Sequence, residues 1–183
     1  MNMSPRSRES LDPAPEVIVG LVERIVGEQW PSGSESFSSY FTRLGCVLGP
    51  LTEPDDEAAL GVTQGRFSVP GGEVKNTSWY ALNDELFSLN FFAYEGSEHY
   101  SSAGVDAGYD AVRDGISAVF GPSSDESRDK RGNRSAVWWI QGTVIELYAH
   151  VNEAPVLQVG AAHKGRTAVY RDLIAQASKR PRR

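Results

Sequence analysis

Three aspartates, Asp106, Asp110 and Asp114, recur at four-residue spacing in the stretch SSAGVDAGYDAVRDGISAVF. On an α-helix this spacing stacks the carboxylates along one side, and each like-charge pair opposes helix formation by about 0.2–0.5 kcal/mol. A stripe kept at that cost suits an electrostatic docking surface for a basic protein. The same pattern also fits an ordinary solvated helix back. Asp55, Asp56 and Glu57 in the loop EPDDE, with Asp125 and Glu126 further on, extend the candidate face. A second group, Glu146, Tyr148 and His150, alternates within TVIELYAH and projects from one side of a strand. Glu146 and His150 would be a conceivable acid–base pair, and an exposed polar sheet face is the plainer reading. A third group is aromatic. Trp138 and Trp139 are adjacent, so on a strand one enters the core while the other lies on the outer face near Tyr148. Trp and Tyr are enriched where binding energy concentrates, which makes Trp138 and Tyr148 candidates for partner contact.

Other chemistries find little support. His99, His150 and His163 are scattered, without HExxH or paired spacing, and no three or four ligands converge on a metal site. Cys46 is the single cysteine, so disulfides within the chain and cysteine-based zinc sites are excluded. Its place near the end of an apolar helix suits a small buried side chain. Nucleophile-elbow and phosphate-loop glycine patterns are absent. No catalytic residue, cofactor or metal is assigned. An enzyme or small-ligand binder with a pocket near Glu146, Tyr148 and His150 remains as an alternative.

Composition narrows the partner. The 183 residues carry a formal charge of −6. Residues 1–10 hold +1 and the KRPRR end at 179–183 holds +4, leaving −11 for residues 11–178. An acidic body argues against a nucleic-acid surface, which needs Lys and Arg along the phosphates. It is compatible with a basic protein partner. No apolar run reaches the ~18 residues of a membrane span, and MNMSPRSRESLDPAPE lacks the apolar core of a secretory signal. A cytoplasmic location is the expectation.

The elements that must position these residues follow from periodicity. Residues 1–12 are polar and expected to be disordered; 13–178 form one expected domain; 179–183 are a basic tail. Four helices are expected, at 15–29, 36–48, 103–120 and 166–178, from apolar residues spaced i, i+3/i+4. In the last, Val169, Tyr170, Leu173, Ile174 and Ala177 are placed inward. Gly104, Gly108 and Gly115 weaken the third helix, which must therefore rely on packing or approach a neighbour closely. Two three-stranded meanders are expected, at about 59–94 and 136–160. In the first, Phe87, Leu89, Phe91 and Ala93 share a face; in the second, Ile145, Leu147, Ala149 and Val151 do. Gly49-Pro50 and Gly121-Pro122 are read as helix stops, and 123–134 as a mobile polar loop. Whether the meanders form one sheet or two is open. Strand runs joined by short turns make the class α+β with antiparallel sheet.

The apolar residues of 37–50 echo those of 109–122 at an offset of 72, from Phe37/Tyr109 to Pro50/Pro122. This suggests an internal duplication over 36–100 and 104–165, or chance likeness between amphipathic helices ending in Gly-Pro. With the strand pattern WWIQGTVIELYAHVNEAPVLQV and a closing amphipathic helix, the acidic α+β chain resembles small immunity proteins of bacterial, actinobacterial-type polymorphic toxin systems over about 36–178. That resemblance implies a cytoplasmic antitoxin that blocks a basic toxin domain by direct binding. The element order also resembles type III secretion chaperones, implying an interaction domain that uses exposed sheet aromatics.

Overall fold

A computed structural model describes residues 11–52, 60–72, 74–95 and 101–178. The acidic-loop candidates Asp55, Asp56 and Glu57, together with His99, the first ten residues and the basic tail, lie outside the described residues. The chain is α+β. It opens with helix α1 (Pro15–Gly27), a 3-10 turn (Ser34–Ser36) and helix α2 (Phe37–Arg43). Strands β1 (Val47–Leu51), β2 (Val62–Ser68), β3 (Thr77–Leu82) and β4 (Glu85–Ala93) follow. Helix α3 (Ser102–Phe120) leads to β5 (Asp125–Arg128), β6 (Arg134–Ile140), β7 (Thr143–His150) and β8 (Val156–His163), and helix α4 (Lys164–Ser178) closes the chain.

All eight strands form one antiparallel sheet in the order β1-β2-β3-β4-β8-β7-β6-β5. The two expected three-stranded meanders are therefore two four-stranded ones, joined at the centre where Ser88–Ala93 pairs with Leu157–Ala162. The two extra strands are the outer ones. Helix α2 ends at Arg43 rather than near residue 48, because Gly45 turns the chain at φ 75° and frees Val47–Leu51 to pair with β2. Gly49-Pro50 thus lies inside an edge strand, where a missing N–H is tolerated. The stretch 123–134, expected to be mobile, contains β5, whose four residues are exposed and carry no apolar alternation. An edge strand covered on neither face lacks the period-two signal.

The core lies on one face of the sheet, under α1, α2 and α3. Ile145, Leu147 and Ala149 point into it as their alternation requires, joined by Leu157, Val159 and Ala161 from β8. In β4 the register with β3 shifts between Tyr80 and Ala81, so Tyr80 opposes Ser88 while Ala81 opposes Leu86. This bulge corrects the expected face: Leu86, Leu89, Phe91 and Ala93 enter the main core, and Phe87 turns to the opposite side. There it joins Val62 and Leu82, against which Tyr170 and Leu173 of α4 pack.

Helix α3 packs against α1 with Val105, Tyr109, Val112 and Ile116 buried. Its glycines are explained by close approach. A Cβ on Gly115 would lie 2.6 Å from Val19 of α1, and one on Gly108 would lie 2.5 Å from the Tyr94 ring. That ring is pinned, since Tyr94 Oη donates to Pro13 O at 2.8 Å. Two effects oppose each other in Gly108→Ala. Helix propensity favours alanine by about 1 kcal/mol, whereas overpacking costs about 1–3 kcal/mol. Because the ring is anchored, overpacking is expected to win. Thermal denaturation should show a lower midpoint for Gly108→Ala, and a raised midpoint would contradict the packing account.

Candidate functional site

All three aspartates of the stripe form ion pairs within the chain. Arg134 opens β6 and shares phase with Ala136 and Trp138, so its side chain turns toward α3. Its Nη1 donates to Asp106 Oδ1 at 2.8 Å and its Nη2 to Asp110 Oδ1 at 2.7 Å. The guanidinium also lies 4.2 Å from the centroid of the Tyr109 ring. Burial alone would lower the Arg134 pKa, but the hydrogen bonds and charges of Asp110 and Asp106 outweigh it and hold it above its ordinary value. Arg113 takes the next rung, with Nη2 2.8 Å from Asp114 and Nη1 2.9 Å from Glu126 of β5. The like charges along the helix are thus bridged by two arginines, and the stripe ties α3 to β5 and β6. The phase of Arg134 with Trp138 is readable in the sequence, but the polar run 123–134 has no alternation of its own to mark Arg134 as the start of a strand.

Trp138 is the inward tryptophan, 1 % exposed, and its Nε1 donates to Gly121 O at the end of α3. This satisfies a carbonyl that the helix terminus leaves without a partner. Its ring is therefore unavailable to a partner surface, and the sequence assignment of Trp138 as a contact residue is corrected. Trp139 is the outward one, 67 % exposed, whereas Trp30, Trp79 and Trp138 are buried. Tyr148 stands half-buried on the outer face, edge-on to His150 at 4.8 Å between ring centroids.

The outer sheet face can be read in rows from the strand register. Ala162, Val144 and Trp139 form one row across β8, β7 and β6; Gly160, Glu146, Val137 and Asp125 form the next. Helix α4 lies on this face over β4, with no fully buried residue. Along α4 an open groove of about 750 Å³ runs across the outer face, from Tyr80 of β3 and Ser88 and Asn90 of β4 to Trp139 of β6 and Asp125 of β5. Ala162 and Val144 line its floor, Trp139 and Glu146 its strand side, and Lys164 and Arg171 its helix side. Lys164 Nζ lies 5.3 Å from the centroid of the Trp139 ring. His150 lines a separate depression with Asn152 and Val156 at the other end of the strands. Four residues along a strand span about 13 Å. Glu146 and His150 therefore do not form an acid–base pair.

Cys46 is buried and its thiol is pushed up to about 11 by burial, with Arg24 opposing, which leaves it a weak nucleophile. Among the described residues, no group of three His, Cys, Asp or Glu side chains is placed to hold a metal ion. No helix among them is long and apolar enough to cross a membrane.

The groove wall α4 is held mainly at its first turn. Arg166 Nη1 donates to Pro31 O and Leu86 O, both at 2.7 Å, and Nη2 donates to Ser32 Oγ at 2.7 Å. Its Nε lies 3.6 Å from Glu85. His163 caps the helix, accepting the Arg166 N–H at Nδ1 (3.2 Å). Further along, Tyr170 stacks on Phe87 with centroids 4.8 Å apart.

No protein-family model, curated protein or solved structure matches this chain.

Two outcomes follow from these contacts. Arg134→Met should destabilise by about 1–2 kcal/mol. The loss is modest because Asp106 and Asp110 are 38 % and 46 % exposed and solvent screens them. Urea denaturation checks this, and an unchanged midpoint would show that the bridge contributes nothing. For α4 the test is pH. Burial, then the Arg166 charge, lower the His163 pKa from the usual 6.5, with Glu85 opposing. The unfolded chain thus takes up the proton at higher pH than the folded chain. The stability contributed by neutral His163 is complete above pH 6.5 and is lost as pH falls through the depressed value. Hydrogen exchange of α4 amides should accelerate between neutral pH and about pH 5 relative to intrinsic rates. His163→Asn, which keeps a neutral acceptor, should abolish that pH dependence; if it persists, His163 is not its source.

Proposed function

We propose that this chain is a non-catalytic, cytoplasmic protein-binding module that holds its partner against the outer sheet face beside α4. The observation that carries this reading is Trp139, a large aromatic left 67 % exposed at the side of an open groove while the other tryptophans are buried. An exposed tryptophan flanked by apolar and small side chains is the composition of a binding hot spot. The mixed rim, with Lys164, Arg171 and Asp172 of α4 and Glu146 and Asp125 of the strands, does not demand that a partner be strongly basic.

Neutralisation of a toxin domain, as the immunity-protein resemblance implies, is the use we assign to this module. The contact surface shifts from the α3 stripe to the sheet aromatics, the mode expected of the chaperone-like alternative. Asp106 and Asp110 are already engaged by Arg134, which weakens the case for α3 as the docking face.

The test is capture of partners from the source cells at low and high salt, using the unmodified chain, Trp139→Ala and the triple variant Asp106→Ala/Asp110→Ala/Asp114→Ala, each verified as folded. A stoichiometric partner that survives high salt and is lost from Trp139→Ala is expected. If the triple variant loses the partner and Trp139→Ala keeps it, docking belongs to α3 and the outer-face reading fails.

A further inference from the structure

We infer that α4 beyond its first turn is a releasable cover. It opens from the sheet while the rest of the chain stays folded, and it uncovers an apolar patch formed by Leu60, Val62, Tyr80, Leu82 and Phe87. This goes beyond the protein-binding reading above and does not depend on it.

Anchoring is the first argument. Strand β8 runs into α4 without a linker. At the junction the Lys164 N–H donates to Gly142 O at 2.8 Å, and the Arg166 guanidinium reaches Leu86 O and the loop after α1. Beyond that turn the packing comes from Tyr170, stacked on Phe87, and from Leu173. No residue of α4 is buried, and Val169 is left in solvent. The helix is held firmly at its start and lightly along the rest.

Separation is the second. Val62, Leu82 and Phe87 are buried on the outer face, in a cluster distinct from the main core. The main core contains no described residue of α4. Lifting α4 therefore breaks the contacts of the small cluster and leaves the packing under α1, α2 and α3 intact. A segment held by few buried apolar contacts opens at a lower free energy than the core.

Helix length is the third. A helix of 15 residues is marginal in water without a surface to pack on. Released from the sheet, the turns after Arg166 melt together, because helix formation is cooperative. Docking and folding of this stretch are then one step, and the cover is either closed or open. Leu60 and Val62 where β2 begins, Leu82 where β3 ends and Phe87 near the start of β4 lie at one end of the sheet. Uncovered, they extend the groove, whose lining already includes Tyr80 and Phe87, into a contiguous apolar patch suited to association.

Native-state hydrogen exchange of the full chain in low urea tests the proposal. Amides from Tyr170 onward should share one opening constant, at least about 100-fold larger than that of β7 amides and nearly independent of urea. Tyr170→Ala should raise that constant about tenfold further while β7 protection is unchanged. Alanine is the better helix former, so the increase reports lost docking. A dye that fluoresces on apolar surfaces should bind Tyr170→Ala more strongly than the unmodified chain. If α4 and β7 amides share one opening with one urea dependence, α4 belongs to the global unit and the proposal is overturned. Protection that declines gradually toward Ser178 means end fraying and also overturns it. So does a Tyr170→Ala chain whose α4 exchange or dye binding is unchanged, since the Phe87 seat is then not what the helix covers.

Discussion

The pairing of β4 with β8 is the constraint on which the rest depends. It joins strands about 70 residues apart through the register Asn90↔Gly160 and its neighbours. Closing so long a loop costs entropy that local contacts cannot repay, so this pairing must be held by the face it helps to build. Leu89, Phe91 and Ala93 from one strand and Leu157, Val159 and Ala161 from the other meet under the helices to form that face. Once the two strands are joined, the β1–β4 and β5–β8 meanders become one sheet with a continuous covered side. On the opposite side, among the described residues, lies α4.

This arrangement explains why unfavourable local features are tolerated. The glycines of α3 lower its propensity, yet they let it approach Val19 and Tyr94 more closely than any larger residue would allow. Its row of aspartates repels along the helix, yet Arg134 and Arg113 stand between the charges. In both cases a cost along the helix is offset by a contact made across elements. The bulge in β4 acts similarly. By turning Phe87 to the outer face it provides the aromatic seat for Tyr170, and so fixes where α4 can lie.

The position of α4 defines the candidate surface. Its first turn is tied to the loop after α1 by Arg166, while the rest of the helix rests on a narrow apolar strip. The helix therefore covers only part of a wide sheet face. The uncovered part lies beside Trp139, whose exposure is a consequence of strand phase: Arg134, Ala136 and Trp138 share the inward side, so Trp139 must face out.

Sequence alone determined the α+β class, the helices α1 and α3, the strands β6, β7 and β8, and the inward set Ile145, Leu147 and Ala149. Each of these rests on a periodicity that one covered face imposes on a contiguous stretch. The sequence also carried the reliance of α3 on close packing, because a helix holding three glycines gains too little from propensity to stand without it. Tertiary structure alone decided the rest. Strands β1 and β5 exist because neighbours offer them a ladder: β5 is exposed throughout and has no apolar alternation of its own, and in β1 only Leu48 packs against the core. The expected inward face of α4 failed at Val169, which is 60 % exposed, because the helix docks on a strip too narrow to cover a full apolar side. Which arginine pairs with Asp106 and Asp110 depended on which elements meet. Local periodicity does not encode that meeting; the pairing of segments distant in the chain does.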